Sequence, residues 1–540
     1  MLNIDAFEQQ IAERMAATPT VGFAIALVRG DEVAYARGFG TTSAEDGGVP
    51  VTPRTLFCIG SVTKPLTATA IMRLVDRGVL DLDMPVTRYI PWLTFSRPEY
   101  ADGVTLRRLL SHTSGIIGTG GDFGPRDPAG LGTFVRERIP AAAFFAPPGT
   151  LHYYANNNLV LAGYVAEVVA GIPFPDLMRD LVFAPLTMRR STFDRTAAMT
   201  YPVALPHDED DSGAPRVIHR MIDNASGNPA GFAISTVLDL ANFAIMHMNE
   251  GRFGGRAYLP PPLVARMHRP EANLYTAAEG GYGLAFASGL YKGIRRVSHD
   301  GTISSYACRL MMAPHERVAV VAVSNYDFIG SGIIPTIDDA FDQLLDLPAE
   351  SPRPRIVAPD RERWPRYAGT YLSPSAGLAT VVADADALTL EHYGPRVRLD
   401  ALASSLYYYS EGESVAVGFL PNDDGPTRYI VADEQPYERI ELDASFVPDP
   451  SRWQAYAGRY EEFRDDPYPI DIRVREGQLI MHWFGEHACV PLSDTLFVGD
   501  RGTIEFLIAE DGSVPALNLN RSAIQWRVET PPVAGATATG

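Results

Sequence analysis

The sequence contains almost no lysine. All but two of its 46 Lys and Arg residues are arginine, and the two exceptions are Lys64 and Lys292. Arginine keeps its proton in proteins, whereas a desolvated lysine can lose it. A lysine retained in such a chain indicates a position that needs a neutral amine, and we expect this of Lys64. Lys292 lies outside every motif, and we expect it to be a solvated strand residue.

Cysteine is also scarce. The three cysteines, Cys58, Cys308 and Cys489, are odd in number and far apart. This pattern fits neither a disulfide framework nor a zinc site, so we expect buried free thiols in a reducing compartment. The N-terminus lacks a basic segment followed by an apolar one, which argues against a secretory signal. We therefore expect a cytoplasmic protein.

Long apolar runs and positive charge are missing too. No run approaches the roughly 18 apolar residues that span a bilayer. The formal net charge of −19 disfavours nucleic acids and anionic membranes as partners, because both require a cationic surface. The acidic tract at residues 207–211 lacks ligand spacing, and no H-E-x-x-H or C-x-x-C motif occurs. We expect no metal ion and no cofactor.

Against this background the motif Ser61-Val62-Thr63-Lys64 stands out. The apolar run at residues 68–75 has a helical period, which predicts that Ser61 and Lys64 lie in the first turn of a helix. Side chains three residues apart touch in a helix. The helix dipole there favours an alkoxide and opposes an ammonium, so both effects help Lys64 to take the Ser61 hydroxyl proton. The alternative interpretation is a helix cap followed by a surface lysine.

The order of predicted elements indicates an α+β domain over residues 1–350. Both ends of this region contribute strands to one antiparallel sheet, and a helical subdomain is inserted between them. The predicted elements are a helix at 5–17, a hairpin at 21–38, strands at 283–289, 304–312 and 318–323, and a helix at 334–345.

Beyond a Pro-rich linker at residues 351–362 the chain changes to short strands and a repeat appears. The segment Arg363-Trp364-Pro365-Arg366-Tyr367-Ala368-Gly369-Thr370-Tyr371 recurs as Arg452-Trp453-Gln454-Ala455-Tyr456-Ala457-Gly458-Arg459-Tyr460. Each copy opens a unit of several strands, which predicts small antiparallel β-barrels at 363–450 and 451–530, because closure removes exposed edges. We expect residues 531–540 to be a disordered tail.

A serine nucleophile needs a base, a proton carrier to the leaving group and donors for an oxyanion. Lys64 is the candidate base. Tyr154 is the candidate carrier, and we expect its pKa to fall beside a lysine ammonium. Asn156 is placed to hydrogen-bond Lys64 and a substrate carbonyl.

The candidate oxyanion donors are the backbone N–H groups of Ser61 and Thr302. Thr302 follows Gly301, which would let an edge strand approach the substrate closely.

The motifs Ser61-Val62-Thr63-Lys64, Tyr154-Ala155-Asn156 and His299-Asp300-Gly301 resemble those of the serine β-lactamase and penicillin-binding-protein superfamily. Supporting stretches at 109–115, 148–150, 231–236 and 282–284 are also similar, and the resemblance spans residues 1–347. The Tyr-x-Asn form resembles class C β-lactamases, D-alanyl carboxypeptidases of that branch, D-aminopeptidases and β-lactamase-like carboxylesterases. The paired barrels resemble the D-aminopeptidase architecture. The resemblance implies a Ser-Lys-Tyr acyl-enzyme hydrolase.

The resemblance also implies substrate-binding roles for Asn156, His299, Asp300 and Gly301, and here the chain departs from the pattern. His299 stands where β-lactamases and cell-wall enzymes usually have lysine, and Asp300 where they carry a hydroxyl. If Asp300 faces the site it repels a substrate carboxylate, so ordinary β-lactamase action is disfavoured. Residues 483–487 form a shorter stretch than the barrel loop that restricts the D-aminopeptidase, which implies a roomier cleft. His299 also has a purely structural interpretation.

We therefore predict a peptidase that cleaves small linear peptides containing D-residues, similar to the D-aminopeptidase or to the hydrolase acting on linearised microcystin. A carboxylesterase on the same scaffold is the runner-up, because the motifs alone do not exclude it. A non-catalytic scaffold is the third alternative. The sequence leaves the oligomeric state open, and a homo-oligomer is among the states it allows.

Overall fold

A computed structural model describes residues 3–118, 127–210, 212–219, 223–277, 279–326, 332–350, 352–392, 394–409, 415–421, 425–461, 469–483 and 485–528. The chain divides into two compact units: the first holds most of the residues up to Arg353, and the second holds the residues from Pro354 onward together with 117–118 and 275–277. The tail expected at 531–540 lies outside the described residues.

The first unit contains both helices and strands. Its helices are α1 (Ile4–Ala16), α2 (Thr63–Asp76), α3 (Leu106–Leu110), α4 (Gly130–Glu137), α5 (Asn156–Ala170), α6 (Phe174–Met178), α7 (Arg195–Ala198), α8 (Asn228–Gly231), α9 (Val237–Met248), α10 (Pro261–His268) and α11 (Ile333–Leu345). Its strands are β1 (Gly22–Arg29), β2 (Glu32–Gly40), β3 (Phe57–Cys58), β4 (His207–Glu209), β5 (Pro215–Val217), β6 (Ile234–Ser235), β7 (Arg252–Phe253), β8 (Arg256–Ala257), β9 (Ala272–Asn273), β10 (Gly281–Tyr282), β11 (Ala287–Tyr291), β12 (Ile294–Ile303), β13 (Tyr306–Ala313) and β14 (Val318–Ser324).

The main sheet has eight antiparallel strands in the order β2-β1-β14-β13-β12-β11-β10-β9. The N-terminal hairpin pairs with β14, the last strand of the unit, so both ends of the unit contribute to one sheet. Phe7 of α1 and Phe341 of α11 share a core with Met311 of β13. The neighbouring Leu310 shares the opposite core with Phe243 of α9. Because successive strand residues face opposite sides, helices cover both faces, and the predicted α+β fold is confirmed.

Strand β12 differs from the prediction. The predicted strands do not include residues 294–303, but the third motif lies inside β12, which runs from Ile294 to Ile303. Polar residues in the middle of this strand interrupt the alternation of apolar and polar residues by which a strand is recognised in a sequence. Strand alternation places His299 and Gly301 on one face of the sheet, and Asp300 and Thr302 on the other.

The second unit begins with helix α12 (Trp364–Tyr367) and a nine-stranded antiparallel sheet. The sheet order is β18-β17-β16-β15-β23-β22-β21-β20-β19. Its two end strands, β18 and β19, are separated in the chain only by Leu399, so the sheet curls round into a nearly closed barrel. The strands are β15 (Gly369–Ser373), β16 (Gly377–Ala383), β17 (Leu388–Glu391), β18 (Val397–Arg398), β19 (Asp400–Ala403), β20 (Leu406–Tyr409), β21 (Val415–Leu420), β22 (Tyr429–Ala432) and β23 (Gln435–Ile440).

The remaining strands form a closed antiparallel barrel, β24 to β31 in chain order. They are β24 (Gly458–Glu461), β25 (Ile470–Arg475), β26 (Gln478–His482), β27 (Glu486–Pro491), β28 (Leu496–Gly499), β29 (Gly502–Leu507), β30 (Ala516–Leu519) and β31 (Ala523–Val528). The stretch at 483–487 includes the short connection between β26 and β27, where Trp483 N donates to Gly485 O at 2.9 Å. Residue 484 lies outside the described part.

The sequence repeat has the same structural role in both barrels. The last tyrosine of each copy donates its hydroxyl to the carbonyl of the tyrosine four residues earlier, at 2.6 Å in the first copy and 2.8 Å in the second. That earlier tyrosine stacks on a phenylalanine of its own barrel, with ring centroids 4.1 and 4.2 Å apart. The stacked pairs are Tyr367 with Phe419 and Tyr456 with Phe506. The repeat therefore marks the packed start of each barrel.

Two arrangements are absent from the described part of the chain. No single helix there is long and apolar enough to cross a membrane, although one bent pair of helices meets the criteria of length and composition. No group of three His, Cys, Asp or Glu side chains is placed there to hold a metal ion.

Candidate active site

Ser61 lies in a 3₁₀ turn, Gly60–Val62, that leads directly into α2. Gly60 has a positive φ of 50°, a conformation that glycine adopts without steric cost. The Thr63 hydroxyl donates to Gly60 O at 2.7 Å and stabilises the turn. Ser61 therefore precedes the α-helix in which it was expected, and Lys64 is the second residue of α2.

Lys64 Nζ lies 2.7 Å from Ser61 Oγ and donates to Ala230 O at 2.8 Å. The side chain is completely buried, and burial lowers its pKa well below the usual value. No carboxylate pairs with it in the described part of the chain. These contacts suit a neutral amine that can accept the Ser61 proton. The Ala230 carbonyl was not predicted, because a backbone oxygen leaves no signal in the sequence.

Lys292 has a different role, and its prediction as a solvated residue is wrong. Its Nζ donates to Asp342 Oδ2 at 2.6 Å and to Ala349 O at 2.9 Å. Only 7% of its side chain is exposed. The ammonium has a carboxylate partner on α11, which makes it a structural ion pair joining the β11–β12 turn to that helix.

Tyr154 lies beside both residues of the first motif. Its ring centroid is 4.8 Å from Lys64 Nζ, and it lies close enough to Ser61 for that side chain to affect its pKa. Burial raises the pKa of Tyr154, and the nearby Ser61 side chain opposes this rise only in part. The expected fall is therefore wrong, because loss of phenolate hydration is the largest cause and the nearby Asp300 charge adds to the rise. The side chain remains 37% exposed, so solvent limits the size of the rise.

Asn156 is the first residue of α5, two positions after Tyr154. The structure thus places it at the N-terminal end of a helix. Its bonds to Lys64 and to a substrate carbonyl stay predictions.

His299 is held as a neutral imidazole. Its Nδ1 donates to Asp300 O at 2.6 Å, and its Nε2 accepts from the Tyr282 hydroxyl at 2.9 Å. One donating and one accepting nitrogen define the neutral ring. Burial is the main cause that lowers the pKa of His299 to about 3. The third motif therefore presents no cation at the position where related enzymes usually have lysine.

The Asp300 side chain is engaged elsewhere. Arg309 Nε lies 3.1 Å from Asp300 Oδ1, and the two residues are paired across β12 and β13. Strand alternation puts this ion pair on the face opposite His299. The carboxylate is therefore paired with Arg309 on the face opposite His299, which corrects the assignment of Asp300 as a substrate-binding side chain. Its charge still reaches the site, because it contributes to the raised pKa of Tyr154. The repulsion of a substrate carboxylate stays a prediction.

Gly301 brings β12 against the nucleophile. A Cβ at this position would lie 2.1 Å from Ile59 O and 2.8 Å from Ser61 N, closer than any side chain tolerates. The glycine therefore permits contact with the Ser61 turn, where the prediction had placed a substrate. A Cβ at Gly60 would lie 2.6 Å from Thr302 N, so Thr302 N is also next to this turn. The oxyanion roles of the Ser61 and Thr302 N–H groups stay predictions.

Three further residues, His112, His152 and Tyr282, lie near Tyr154, and the sequence motifs predicted a catalytic role for none of them. The His112 ring lies 4.3 Å from the Tyr154 ring, and the His152 ring lies 4.9 Å from the Tyr282 ring, between centroids. Burial lowers the pKa of His152 to about 3, and that of His112 well below its usual value. His112 and Tyr282 belong to stretches that carried the family resemblance, but nothing in the sequence singled out His152.

Comparison with known proteins identifies the family. The family described as Beta-lactamase matches residues 7–332, so the chain belongs to the β-lactamase family. Penicillin-binding protein 4 of Amycolatopsis lactamdurans is 31% identical, over 60% of this chain and 86% of its own. Esterase EstB of Burkholderia gladioli is 30% identical, over 52% and 77%. The octameric penicillin-binding protein homologue of Pyrococcus abyssi shares the fold, with a TM-score of 0.56 and 24% identity over 81% of this chain and 100% of its own.

The chain is therefore a serine hydrolase of the β-lactamase and penicillin-binding-protein superfamily.

Proposed function

We propose that this hydrolase cleaves amide bonds in small linear peptides that contain D-residues, through an acyl-enzyme on Ser61. The observation that carries the proposal is the 2.7 Å contact between Ser61 Oγ and the buried Lys64 amine. A buried lysine kept for structure has a carboxylate partner, as Lys292 has in Asp342. Lys64 has a hydroxyl and a carbonyl instead, which favours the neutral base.

In the acylation step Lys64 Nζ takes the Ser61 hydroxyl proton while Oγ attacks the substrate carbonyl carbon. The carbonyl oxygen becomes an oxyanion, and the backbone N–H groups of Ser61 and Thr302 are proposed to stabilise it. When the C–N bond breaks, the leaving nitrogen must gain a proton. Tyr154 donates its phenolic proton and regains one from the Lys64 ammonium, so the site is returned to its starting charge.

In the deacylation step the same groups act in the opposite direction. Water gives a proton to Lys64 through Tyr154 while its oxygen attacks the acyl carbon. Breaking the acyl–Oγ bond then returns that proton to Ser61. A neutral phenol with a raised pKa suits this relay, because it passes protons without resting as a phenolate.

The third motif supports a substrate without a carboxylate beside the scissile bond. His299 is neutral, with its two nitrogens bound to Tyr282 and to the Asp300 carbonyl. Such a wall offers hydrogen bonding and ring contacts but no ion pair for a carboxylate. An internal peptide bond or an N-terminal residue fits it better than a C-terminal carboxylate.

The preference for D-residues is supported by the resemblance of the Tyr-x-Asn motif and the paired barrels to D-aminopeptidases.

A three-substrate comparison tests the proposal. D-alanyl p-nitroanilide, a linear peptide with one internal D-residue and p-nitrophenyl butyrate would be compared by kcat/KM, with the L-peptide as the matched control. We expect turnover of the D-containing amides and a lower rate for the L-peptide. Turnover of the ester alone would reject the peptidase and leave the carboxylesterase, which the 30% identity to an esterase favours.

Labelling of Ser61 separates an enzyme from a non-catalytic scaffold. A fluorophosphonate should add one adduct to the folded chain, measured by intact mass, and Ser61→Ala should remove it. An unlabelled wild-type chain would favour the scaffold.

A homo-oligomeric state forms a separate part of the proposal. It is supported by a relative of the same fold that is described as octameric. Sedimentation velocity should give a multiple of the 58.8 kDa chain mass. A single species at the chain mass would contradict it.

A further inference from the structure

His112 binds the chain on both sides of Tyr154. Its carbonyl accepts a hydrogen bond from Tyr153 N at 2.8 Å, and its Nδ1 accepts one from Ala155 N at 3.2 Å. The neighbours of Tyr154 are therefore attached to the backbone and the side chain of one residue. The His112 ring also lies 4.3 Å from the Tyr154 ring, between centroids, at an angle of 33°. His112 thus binds the residues on both sides of Tyr154 by hydrogen bonds and also packs against the Tyr154 ring.

Asn158 determines which His112 nitrogen carries the proton. Its Oδ1 accepts from the Ser114 hydroxyl at 2.6 Å, which turns its amide nitrogen toward His112 Nδ1 at 3.1 Å. Nδ1 thus faces two N–H donors and must be unprotonated, so the ring proton is on Nε2. Complete burial keeps the ring neutral by lowering the pKa of His112 well below its usual value.

The backbone at His112 adopts a conformation that is uncommon for a residue with a side chain. Its φ is 55°, in the left-handed region. Such a conformation costs free energy and persists where the surroundings determine it. Here it allows the carbonyl and the ring of the same residue to bind one short segment of chain.

We propose that His112 is a positioning residue, which holds Tyr154 beside Lys64 and Ser61 through its carbonyl and its unprotonated Nδ1. This inference rests on the proton-carrier role proposed for Tyr154. Within the described chain no hydrogen bond joins His112 to Ser61 or Lys64, so it acts through Tyr154 and not on the reacting atoms.

Two substitutions of His112 by amides of similar polarity distinguish a role in positioning Tyr154 from a role in folding. Asparagine in H112N places an oxygen acceptor where Nδ1 lies, whereas glutamine in H112Q places it near Nε2. With D-alanyl p-nitroanilide we expect H112N to keep kcat within about threefold, and H112Q to lose about 100-fold with little change in KM. Equal kcat in the two variants, at equal thermal midpoints, would overturn the proposal.

Asn158→Asp provides a second route if H112Q fails to fold. A carboxylate oxygen facing Nδ1 draws the ring proton to that nitrogen, so Ala155 N–H loses its acceptor. The same loss of kcat is expected. Wild-type kcat in this variant would overturn the proposal.

A double-mutant cycle identifies the residue through which His112 acts. Tyr154→Phe alone should lower kcat about 100-fold, and adding H112Q should change it little further. Effects that multiply would reject the positioning role while leaving Tyr154 as the carrier. Wild-type kcat in Tyr154→Phe would instead reject the carrier, and the inference about His112 with it.

Discussion

At the scale of single residues, the two lysines show how one side chain serves two purposes. Lys64 is buried with a hydroxyl and a carbonyl as partners, and burial lowers its pKa. Lys292 is nearly as buried, but Asp342 compensates its charge. Desolvation of an uncompensated ammonium favours the neutral amine, whereas a paired carboxylate favours the charged one. The difference between base and structural ion pair thus lies in the partner and not in the burial.

Replacement of Lys64 tests the neutral-amine argument. Lys64→Arg should be nearly as inactive as Lys64→Ala, with kcat/KM at least about 1000-fold below wild type, because arginine keeps its proton. Activity is measured with D-alanyl p-nitroanilide and p-nitrophenyl butyrate, and Lys292→Arg serves as the matched control. Activity above a tenth of wild type in Lys64→Arg would contradict the assignment of the base.

Replacement of Lys292 should affect stability alone. Lys292→Met leaves the Asp342 carboxylate without its cation and should lower the free energy of unfolding by about 2 kcal/mol. Urea denaturation gives this value, and kcat of the folded variant should equal that of wild type. A large loss of kcat without a loss of stability would show that Lys292 has a part in the site.

At the scale of secondary structure elements, three segments meet at Ser61. They are the 3₁₀ turn at the start of α2, the helix α8 that presents the Ala230 carbonyl, and β12, which lies against the turn. Hydrogen bonds to Thr63 support this arrangement, since its hydroxyl donates to Gly60 O and accepts from Ala233 N. The spacing of β12 from the turn is set by Gly301, because no side chain fits between them.

Gly301→Ala should therefore displace β12 from the nucleophile. The added methyl would meet Ile59 O at 2.1 Å and Ser61 N at 2.8 Å, so one element must move. We expect kcat/KM to fall at least about 100-fold, as for loss of an oxyanion donor. Fluorophosphonate labelling of Ser61 should slow in parallel. Gly394→Ala is the control, since a Cβ there meets nothing within 4 Å. Unchanged labelling in Gly301→Ala would contradict the close approach.

At the scale of the whole molecule, the chain combines a catalytic unit with a pair of barrels that a repeat had predicted. The repeat was readable because each copy keeps its aromatic residues at the same spacing, and each aromatic set packs inside its own barrel. The domain boundaries at 350, 363 and 451 and the cytoplasmic location stay predictions.

Buried histidines make the catalytic unit sensitive to acid. His152 and His299 have pKa values lowered to about 3. Below a pH of about 6.5 these two histidines therefore bind protons in the unfolded chain but stay neutral in the folded chain. Stability from these residues is therefore complete above pH of about 6.5 and falls as the pH drops toward 3. Between pH 6.5 and 5.5 the pair should remove about 2 kcal/mol from the free energy of unfolding.

His152→Phe isolates this effect, because it removes one titrating ring from a site without hydrogen-bond partners in the described part of the chain. Urea denaturation at the two pH values should show a difference about 1 kcal/mol smaller than in wild type. An identical pH dependence in the variant would show that His152 is protonated or exposed in the folded chain.

The sequence by itself determined which side chains meet at short range. Ser61 and Lys64 are three residues apart, so local geometry alone brings them together. The scarcity of lysine in the sequence pointed to Lys64, which has no carboxylate partner in the described part of the chain. The α+β order and the two barrels followed from local patterns as well.

Only the tertiary structure decided the charge states and the direction of side chains. The pKa of Tyr154 is raised where a fall was predicted. Asp300 forms an ion pair with Arg309, and Lys292 forms one with Asp342, and neither pair was predicted. Burial and partners distant in the chain produce these outcomes, and a linear pattern carries no information about either. Neutral His112 and His299 depend on the same cause, because desolvation is a property of the packed site.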